Sequence, residues 1–331
     1  MVKRIFLILL RIGVSVVLLL FLFNKVDKKS LIEIVKNANK PLLLAALGIY
    51  FLSYILCLFR WEMLLKALKI HLPLKRVIIS YAGAHFFNLF LPSTIGGDLM
   101  RSIDLAVHTK RPKEIIATVF LDRLSGYIAL AFLALLSLGI GWKLLIQDKS
   151  VLLSVGIITA VLIAVLLVLF NGFLYSKVNQ LLHSPNAGKI RELIKSLHQE
   201  IHYFKHHKGV IINNLILSLI IQAISPLTFF VLSLSMGLKV NIIYFFIFLP
   251  IIGAITLLPI SIGGLGLRDA TTIYFLAKAG VSHDFSFAMS LLIFCFILVI
   301  GAAGGLVYVL TVRHRRVQYH KAPSIQPAHQ K

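Results

Sequence analysis

Apolar residues run along this chain in long blocks separated by short polar and basic stretches. Six blocks, 5–23, 41–59, 115–140, 151–175, 210–234 and 285–312, are 19 to 28 residues long. A helix needs about 20 residues to cross the hydrocarbon layer, so each block predicts one crossing. Two further blocks, 77–92 and 242–258, are 16 and 17 residues long and run into Pro/Gly clusters instead of charged loops. Short apolar segments that end in helix breakers read as re-entrant. The pattern therefore predicts an all-α polytopic membrane protein, a single integral domain over 1–331. It has six spanning helices and two re-entrant hairpins, 77–98 and 242–283.

Composition narrows the class. The chain has 331 residues, 59% apolar and 14% charged, with a mean hydropathy of +0.92. Soluble domains average about 45–50% apolar and about 25% charged. A soluble enzyme, a disordered tail and a disulfide scaffold are excluded. The two cysteines, Cys57 and Cys295, each lie inside an apolar block and read as small packing residues.

Lys and Arg number 34 against 12 Asp and Glu, a net charge of +22. In a soluble protein this would suggest nucleic acid. Here the cations belong in cytoplasmic loops against anionic headgroups, and no nucleic-acid partner is expected. With both termini cytoplasmic in the cell membrane, segments 1–4, 60–76, 99–114, 176–209 and 313–331 carry 22 of them and external segments nine. A full crossing by 77–92 would reverse this bias, so charge as well as length favours the dip. The Lys-rich segment 24–40 runs against the rule. Arg11 interrupts the first apolar run and no small-residue cleavage site follows, so that run is expected to stay as an uncleaved helix, with Arg11 snorkelling. Segment 176–209 has apolar residues three and four apart, the pattern of an interfacial amphipathic helix. His198, His202 and His206 stand there at helical spacing, and no carboxylate or Cys completes a ligand set. They read as part of a basic surface; neither a metal nor a cofactor is expected. Segment 313–331 reads as a basic cytoplasmic tail.

One phrase occurs twice. Residues 91–101 read LPSTIGGDLMR and residues 258–268 read LPISIGGLGLR, agreeing at six of eleven positions with an offset of 167 residues. Each copy follows one of the short apolar blocks. Three expected crossings separate them, so the copies face opposite sides of the membrane. The halves 1–145 and 146–312 thus form an inverted repeat, the architecture in which transporters hold substrate at broken helices. Pro ends a helix and paired Gly permits a sharp bend. The helix that restarts there offers unpaired N–H groups and a positive dipole end to an anion. Arg101 and Arg268 lie about one turn further on, and Arg binds phosphate in a bidentate fork. Gly96, Gly97, Gly263 and Gly264 are the bend residues.

Asp98, Asp122 and Arg123 are ionisable groups at membrane depth, which usually face a cavity or a partner. Asn88, Asn213, Asn214 and Gln222 either line the path or hold helices together, and Gly301 and Gly305 suit close helix packing. Among twelve singly scattered acidic residues there is no DxD pair, and neither GxSG nor HExxH occurs. No catalytic residue is assigned and enzymatic activity is not expected. No ATP-binding signature is present.

The stretches FFNLFLPSTIGGDLMR (86–101), RWEMLL (60–65), LDRLSG (121–126) and LPISIGGLGLRDA (258–270) resemble the lysylphosphatidylglycerol synthase transmembrane-region family, also described as flippase-like. Its best-known members flip an aminoacylated phospholipid and carry a soluble transferase domain after the membrane part. The chain stops at Lys331, so the resemblance implies the membrane part without synthase activity. On the family's pattern the positions implied for substrate are Asn88, Gly96, Gly97, Asp98, Arg101, Asp122, Arg123, Gly263, Gly264 and Arg268, with Pro92 and Pro259 at the bends. The implied role is a flippase or transporter for a phosphate-bearing lipid, phospho- or polyprenyl-linked. Its partners would be anionic or phosphate-bearing membrane lipids, and a homo-oligomer is compatible with the sequence. A non-catalytic accessory subunit of an envelope-lipid or glycolipid pathway fits the same residues.

Overall fold

The apolar blocks fold as helices, and the chain turns where Pro, Gly or a side-chain cap takes over the unpaired backbone groups. A computed structural model describes residues 13–22, 24, 27–91, 95–145, 148–170, 208–256, 260–261 and 264–321. In order, the helices are α1 Gly13–Leu22, α2 Lys28–Asn37, α3 Lys40–Ala67, α4 Leu74–Asn88, α5 Ile95–Thr109 and α6 Pro112–Ile140. They continue as α7 Trp142–Leu145, α8 Lys149–Phe170, α9 Lys208–Ser235, α10 Ile242–Thr256, α11 Leu267–Ala277 and α12 His283–Lys321. No strand occurs among the described residues.

Helix starts follow local chemistry. Asp27 accepts from the Lys29 amide at 3.0 Å and starts α2, and Asn39 accepts from the Leu42 amide at 3.1 Å and starts α3. Pro112 opens α6, where its missing N–H costs nothing. Segments Lys40–Ala67, Pro112–Ile140, Lys149–Val168, Gly209–Ser235 and His283–Thr311 are long and apolar enough to cross a membrane. The expected span 5–23 is described only as the ten residues of α1. The amphipathic segment expected over 176–209 lies almost wholly outside the described residues. The Lys-rich stretch is helix α2, with Leu31 buried in a cluster with Phe287 and Ala288 of α12 and its lysines exposed. Helix α12 runs on to Lys321, so the final span and the start of the basic tail are one helix.

Helices α3 and α9 pack antiparallel. The Asn39 amide donates to the Ser235 carbonyl at 2.7 Å, while Val210 and Ile211 pack against Leu64, Leu65 and Leu68 at the opposite end. Two hairpins hang from this pair. The first, α4–α5, is rooted at the Leu68 end, where Arg111 Nη1 donates to the Leu68 carbonyl at 3.2 Å. The second, α10–α11, leaves from the Ser235 end, because α10 begins just after it. Helix α4 lies against α12 and helix α10 against α6. The α4–α12 contact depends on small residues: a Cβ on Gly304 would fall 2.7 Å from the Ala82 carbonyl, and one on Gly301 2.8 Å from Leu89. Apolar side chains of α10, including Phe245, Phe248 and Ile251, form the largest buried cluster, together with Leu276 and Met289.

Three cations of the segments 60–76 and 99–114 are buried: Arg60, Arg76 and Arg101 sit on helices at 6%, 6% and 2% exposure. Helix α3 continues to Ala67 because Trp61, Leu64, Leu65 and Leu68 keep a helical stripe going past Arg60.

Candidate functional site

The first bend brings α5 unusually close to α4. A Cβ on Gly97 would fall 2.3 Å from the Ala84 carbonyl oxygen, and one on Gly96 would fall 2.5 Å from Leu91 Cβ. Only hydrogen fits there. The Gly97 amide donates to Asn88 Oδ1 at 2.7 Å. A helix-start donor expected to face an anion is thus engaged by the chain itself.

One turn on, the charged residues link into a continuous network. Arg101 donates from Nε to Asp98 Oδ1 at 3.0 Å and from Nη2 to Asp122 Oδ2 at 2.9 Å. Asp122 Oδ1 accepts from Arg60 Nε at 2.7 Å, and Arg60 Nη1 donates to Ser218 Oγ at 2.9 Å. Asp98 Oδ2 accepts from Arg123 Nε at 2.6 Å. The chain of contacts Ser218–Arg60–Asp122–Arg101–Asp98–Arg123 joins α9, α3, α6 and α5. Trp61 and Tyr81 cover Arg101, whose Cζ lies 4.5 Å and 5.4 Å from their ring centroids. Trp61 is held in turn by its indole N–H on Thr118 Oγ1 at 3.2 Å. Buried charges are tolerated when paired and hydrogen-bonded, and each charge here has a partner of opposite sign, although Arg101 Nη1 is buried without a hydrogen bond.

The second bend is built differently. Gly264 and Gly266 adopt φ of +78° and +77°, where side chains are strained. The Gly266 amide donates to Asp269 Oδ2 at 2.9 Å. Asp269 Oδ1 accepts from Arg268 Nη2 at 3.1 Å and from the Ser290 hydroxyl. Arg268 Nε also donates to Ser290 Oγ at 3.3 Å. Gly263, Pro92 and Pro259 lie outside the described residues.

A cavity of about 510 Å³ opens between α6, α8 and α10. Its walls are aliphatic and aromatic, with Leu124 and Leu130 from α6, Ile158 and Leu162 from α8, and Ile251 and Ile255 from α10. Arg123 is the one charged residue lining it among the described residues. The Arg123 side chain is 34% exposed, whereas that of Arg101 is 3% exposed. Of the sequence candidates, Asn88, Gly96, Gly97, Asp98, Arg101, Asp122 and Arg123 gather at the first bend, and only Arg123 reaches this cavity. Gly264 and Arg268 belong to the second bend.

The sequence model of the lysylphosphatidylglycerol synthase TM region family matches residues 8–305. The chain belongs to that family. It is 22% identical over 310 residues to a UPF0104 membrane protein of Pyrococcus horikoshii, covering 86% of this chain and 90% of that protein. A UPF0104 membrane protein of Methanothermobacter thermautotrophicus is 24% identical over 277 residues, 77% of this chain and 81% of its own length. As a lysylphosphatidylglycerol synthase TM region protein with these spanning helices, the chain is a multi-pass membrane protein.

Sequence reading missed four members of the network in this family member: Arg60, Trp61, Tyr81 and Ser218. The signal for the first two was present, since the apolar stripe through Trp61 and Leu68 carries Arg60 into a continuing helix. Ser218 carries no signal, because serines are common in apolar helices and its partner is 158 residues away. No group of three potential metal ligands occurs among the described residues, and His198, His202 and His206 lie outside them.

Proposed function

We propose that this protein is a lipid flippase, moving a phosphate-bearing lipid between leaflets of the cell membrane without catalysing a reaction. The carrying observation is the α6–α8–α10 cavity, apolar on its walls and cationic at Arg123. That is the chemistry of an amphiphile: a guanidinium for the phosphate and branched side chains for an acyl chain. Ile157 and Val161 of α8 line the cavity and are themselves 53% and 59% exposed, so the cavity opens toward the lipid phase.

The arrangement is read as six crossings, the apolar block 5–23 supplying the first, with both termini cytoplasmic. The two hairpins are read as an inverted repeat. Their roots at opposite ends of the antiparallel α3–α9 pair support this, as does the reciprocal packing of α4 on α12 and α10 on α6. In such a frame each bend opens toward one leaflet, and a headgroup crosses between them while its chains stay in the bilayer. Arg60, Arg101, Asp98 and Asp122 then set the electrostatics of the path, and Arg123 meets the headgroup.

The test is lipid translocation in vesicles. Purified protein is reconstituted with NBD-labelled phosphatidylglycerol and bleached with external dithionite. Protein-containing vesicles should lose inner-leaflet fluorescence that protein-free vesicles retain. R123Q should slow that loss by about tenfold, the loss of one charge-assisted contact. Equal bleaching with and without protein would reject the proposal.

A further inference from the structure

Resting on that reading, we infer that Tyr50, Tyr54, Tyr81 and His85 line a hydrated chamber at mid-membrane, through which the polar headgroup of a lipid passes between the two bends.

The first observation is a gap in the burial of one helix face. On α3, Ala46, Tyr50, Tyr54, Cys57, Trp61 and Leu64 recur three and four apart and so share a face. Ala46, Trp61 and Leu64 are buried, yet Tyr50, Tyr54 and Cys57 between them are partly exposed. The lipid-facing side of α3 is a different one, marked by the exposed Leu44, Phe51, Leu52 and Phe59. Closed at both ends, the inner face opens in its middle onto space within the protein. At about 1.5 Å per residue the opening lies about 15 Å from either end of α3, near the centre of the bilayer. Helix α4 faces it with Tyr81 and His85, one turn apart and also partly exposed.

The lining runs as one row from bend to bend. Arg101 Cζ lies 5.4 Å from the Tyr81 ring centroid. His85 meets the Tyr81 and Tyr54 rings edge-on, with centroids 4.7 Å and 4.3 Å apart. The Tyr54 and Tyr50 hydroxyls are 3.2 Å apart. Beyond Tyr50 the row reaches α12, where Phe296 packs on Tyr50 at 6.1 Å and Phe294 lies 5.7 Å from Arg268 Cζ. At the other end Asp98 joins Arg101 to Arg123, which lines the α6–α8–α10 cavity. A guanidinium therefore stands at each end, with three phenols and an imidazole between. Phenylalanine would serve if the row were only packing. Hydroxyls and an imidazole donate and accept hydrogen bonds, so they solvate phosphate or hydroxyl oxygens without gripping them by full charge. A passage must be favourable enough to enter and weak enough to leave, and this lining meets both conditions.

The test uses the chain's own two cysteines. C295S leaves Cys57, on the face of the row, and C57S leaves Cys295, on the side of α12 where Leu298 and Val299 are exposed to lipid. In proteoliposomes at about pH 9, where thiols ionise, the membrane-impermeant cation MTSET is supplied on both faces. It should modify Cys57 and spare Cys295, whereas lipophilic N-ethylmaleimide should modify both. In a cysteine-free background, H85C should react with MTSET and F51C, on the opposite side of α3, should not. C295S should translocate NBD-phosphatidylglycerol like the wild type. MTSET on its Cys57 should slow translocation about tenfold or more at an unchanged melting temperature, and dithiothreitol should restore it. Resistance of both Cys57 and H85C to MTSET, or equal modification of F51C and Cys295, would overturn the chamber. Modified Cys57 with unchanged translocation would overturn the passage. Absence of translocation by the unlabelled protein rejects the flippase reading and the passage with it, and MTSET labelling of Cys57 would then still establish the chamber.

Discussion

Arg101 Nη2 stands 2.9 Å from Asp122 Oδ2, so the helix restarting after the first bend is pinned to the middle of span α6. Asp122 holds Arg60 with its other oxygen, and its side chain is 5% exposed. Removing it leaves two guanidiniums buried without their shared carboxylate. D122A should therefore cost about 3–5 kcal/mol of stability, the usual range for breaking a buried pair. Thermal unfolding in detergent measures this; a melting curve like that of the wild type would show that the network carries no structural weight.

The first bend is closed by hydrogen alone at Gly97. G97A should push α5 away from the Ala84 carbonyl and cost about 1–3 kcal/mol or more by overpacking. Gly156 on α8 has no atom within 4 Å of where a Cβ would stand, so G156A should leave stability unchanged. Comparing the two melting temperatures separates a steric role from a general sensitivity to glycine replacement.

Asn88 is expected to act on the fold and not on the ligand. Its Oδ1 takes the Gly97 amide, so N88A should destabilise by about 1 kcal/mol, the worth of one side-chain to backbone bond at a helix start. Titration of N88A with NBD-phosphatidylglycerol, at temperatures well below its melting point, should give wild-type affinity. A tenfold loss with an unchanged melting curve would move Asn88 into the binding site.

Asp148 and Lys278 tie the start of α8 to the end of α11, Nζ to Oδ2 at 2.5 Å. Partial burial pushes the Asp148 carboxyl up, but hydrogen bonds from Lys278 and Ser150 outweigh it and hold the group at about 2, against an ordinary 3.8. The same contact raises Lys278, against the opposing effect of burial. A depressed carboxylate stabilises fully above its ordinary pKa and loses that contribution as pH falls through the folded value. A raised ammonium loses its contribution only above its ordinary 10.5. The tie should be constant from pH 5 to 9 and weaken between about pH 4 and 2. Melting temperature against pH checks this: the wild type should fall in that acid window more steeply than D148N.

How much of this was legible depended on range along the chain. Helical periodicity is local, so the spans 41–59, 115–140, 210–234 and 285–312 all reappear as helices, as do the shorter 77–92 and 242–258. The repeated LPxxIGG phrase lies beside both bends, but its glycines serve differently: Gly264 takes a positive φ of +78°, whereas Gly96 and Gly97 sit in the first turn of α5 and permit close packing. Distance along the chain hid the rest. Asp122 invited a cationic partner, but three Arg side chains were available and only the fold decides that Arg60 and Arg101 share it. The cavity was invisible for the same reason, since Leu162 and Ile255 are ordinary apolar residues until α8 and α10 come together around Arg123. The Lys-rich segment 24–40 holds α2, whose buried Leu31 pins a helix and whose lysines Lys28, Lys29 and Lys36 are exposed.

The inverted arrangement underlies the transport reading, and side-specific labelling tests it most directly. In a background with Cys57 and Cys295 replaced, single cysteines are placed at Lys110, beside the root of the first hairpin, and at Lys239, beside the root of the second; both positions are exposed. A membrane-impermeant maleimide should reach K110C only from the cytoplasmic face and K239C only from the outer face. Labelling of both from one face would contradict the inverted arrangement, and with it the passage of a headgroup from one bend to the other.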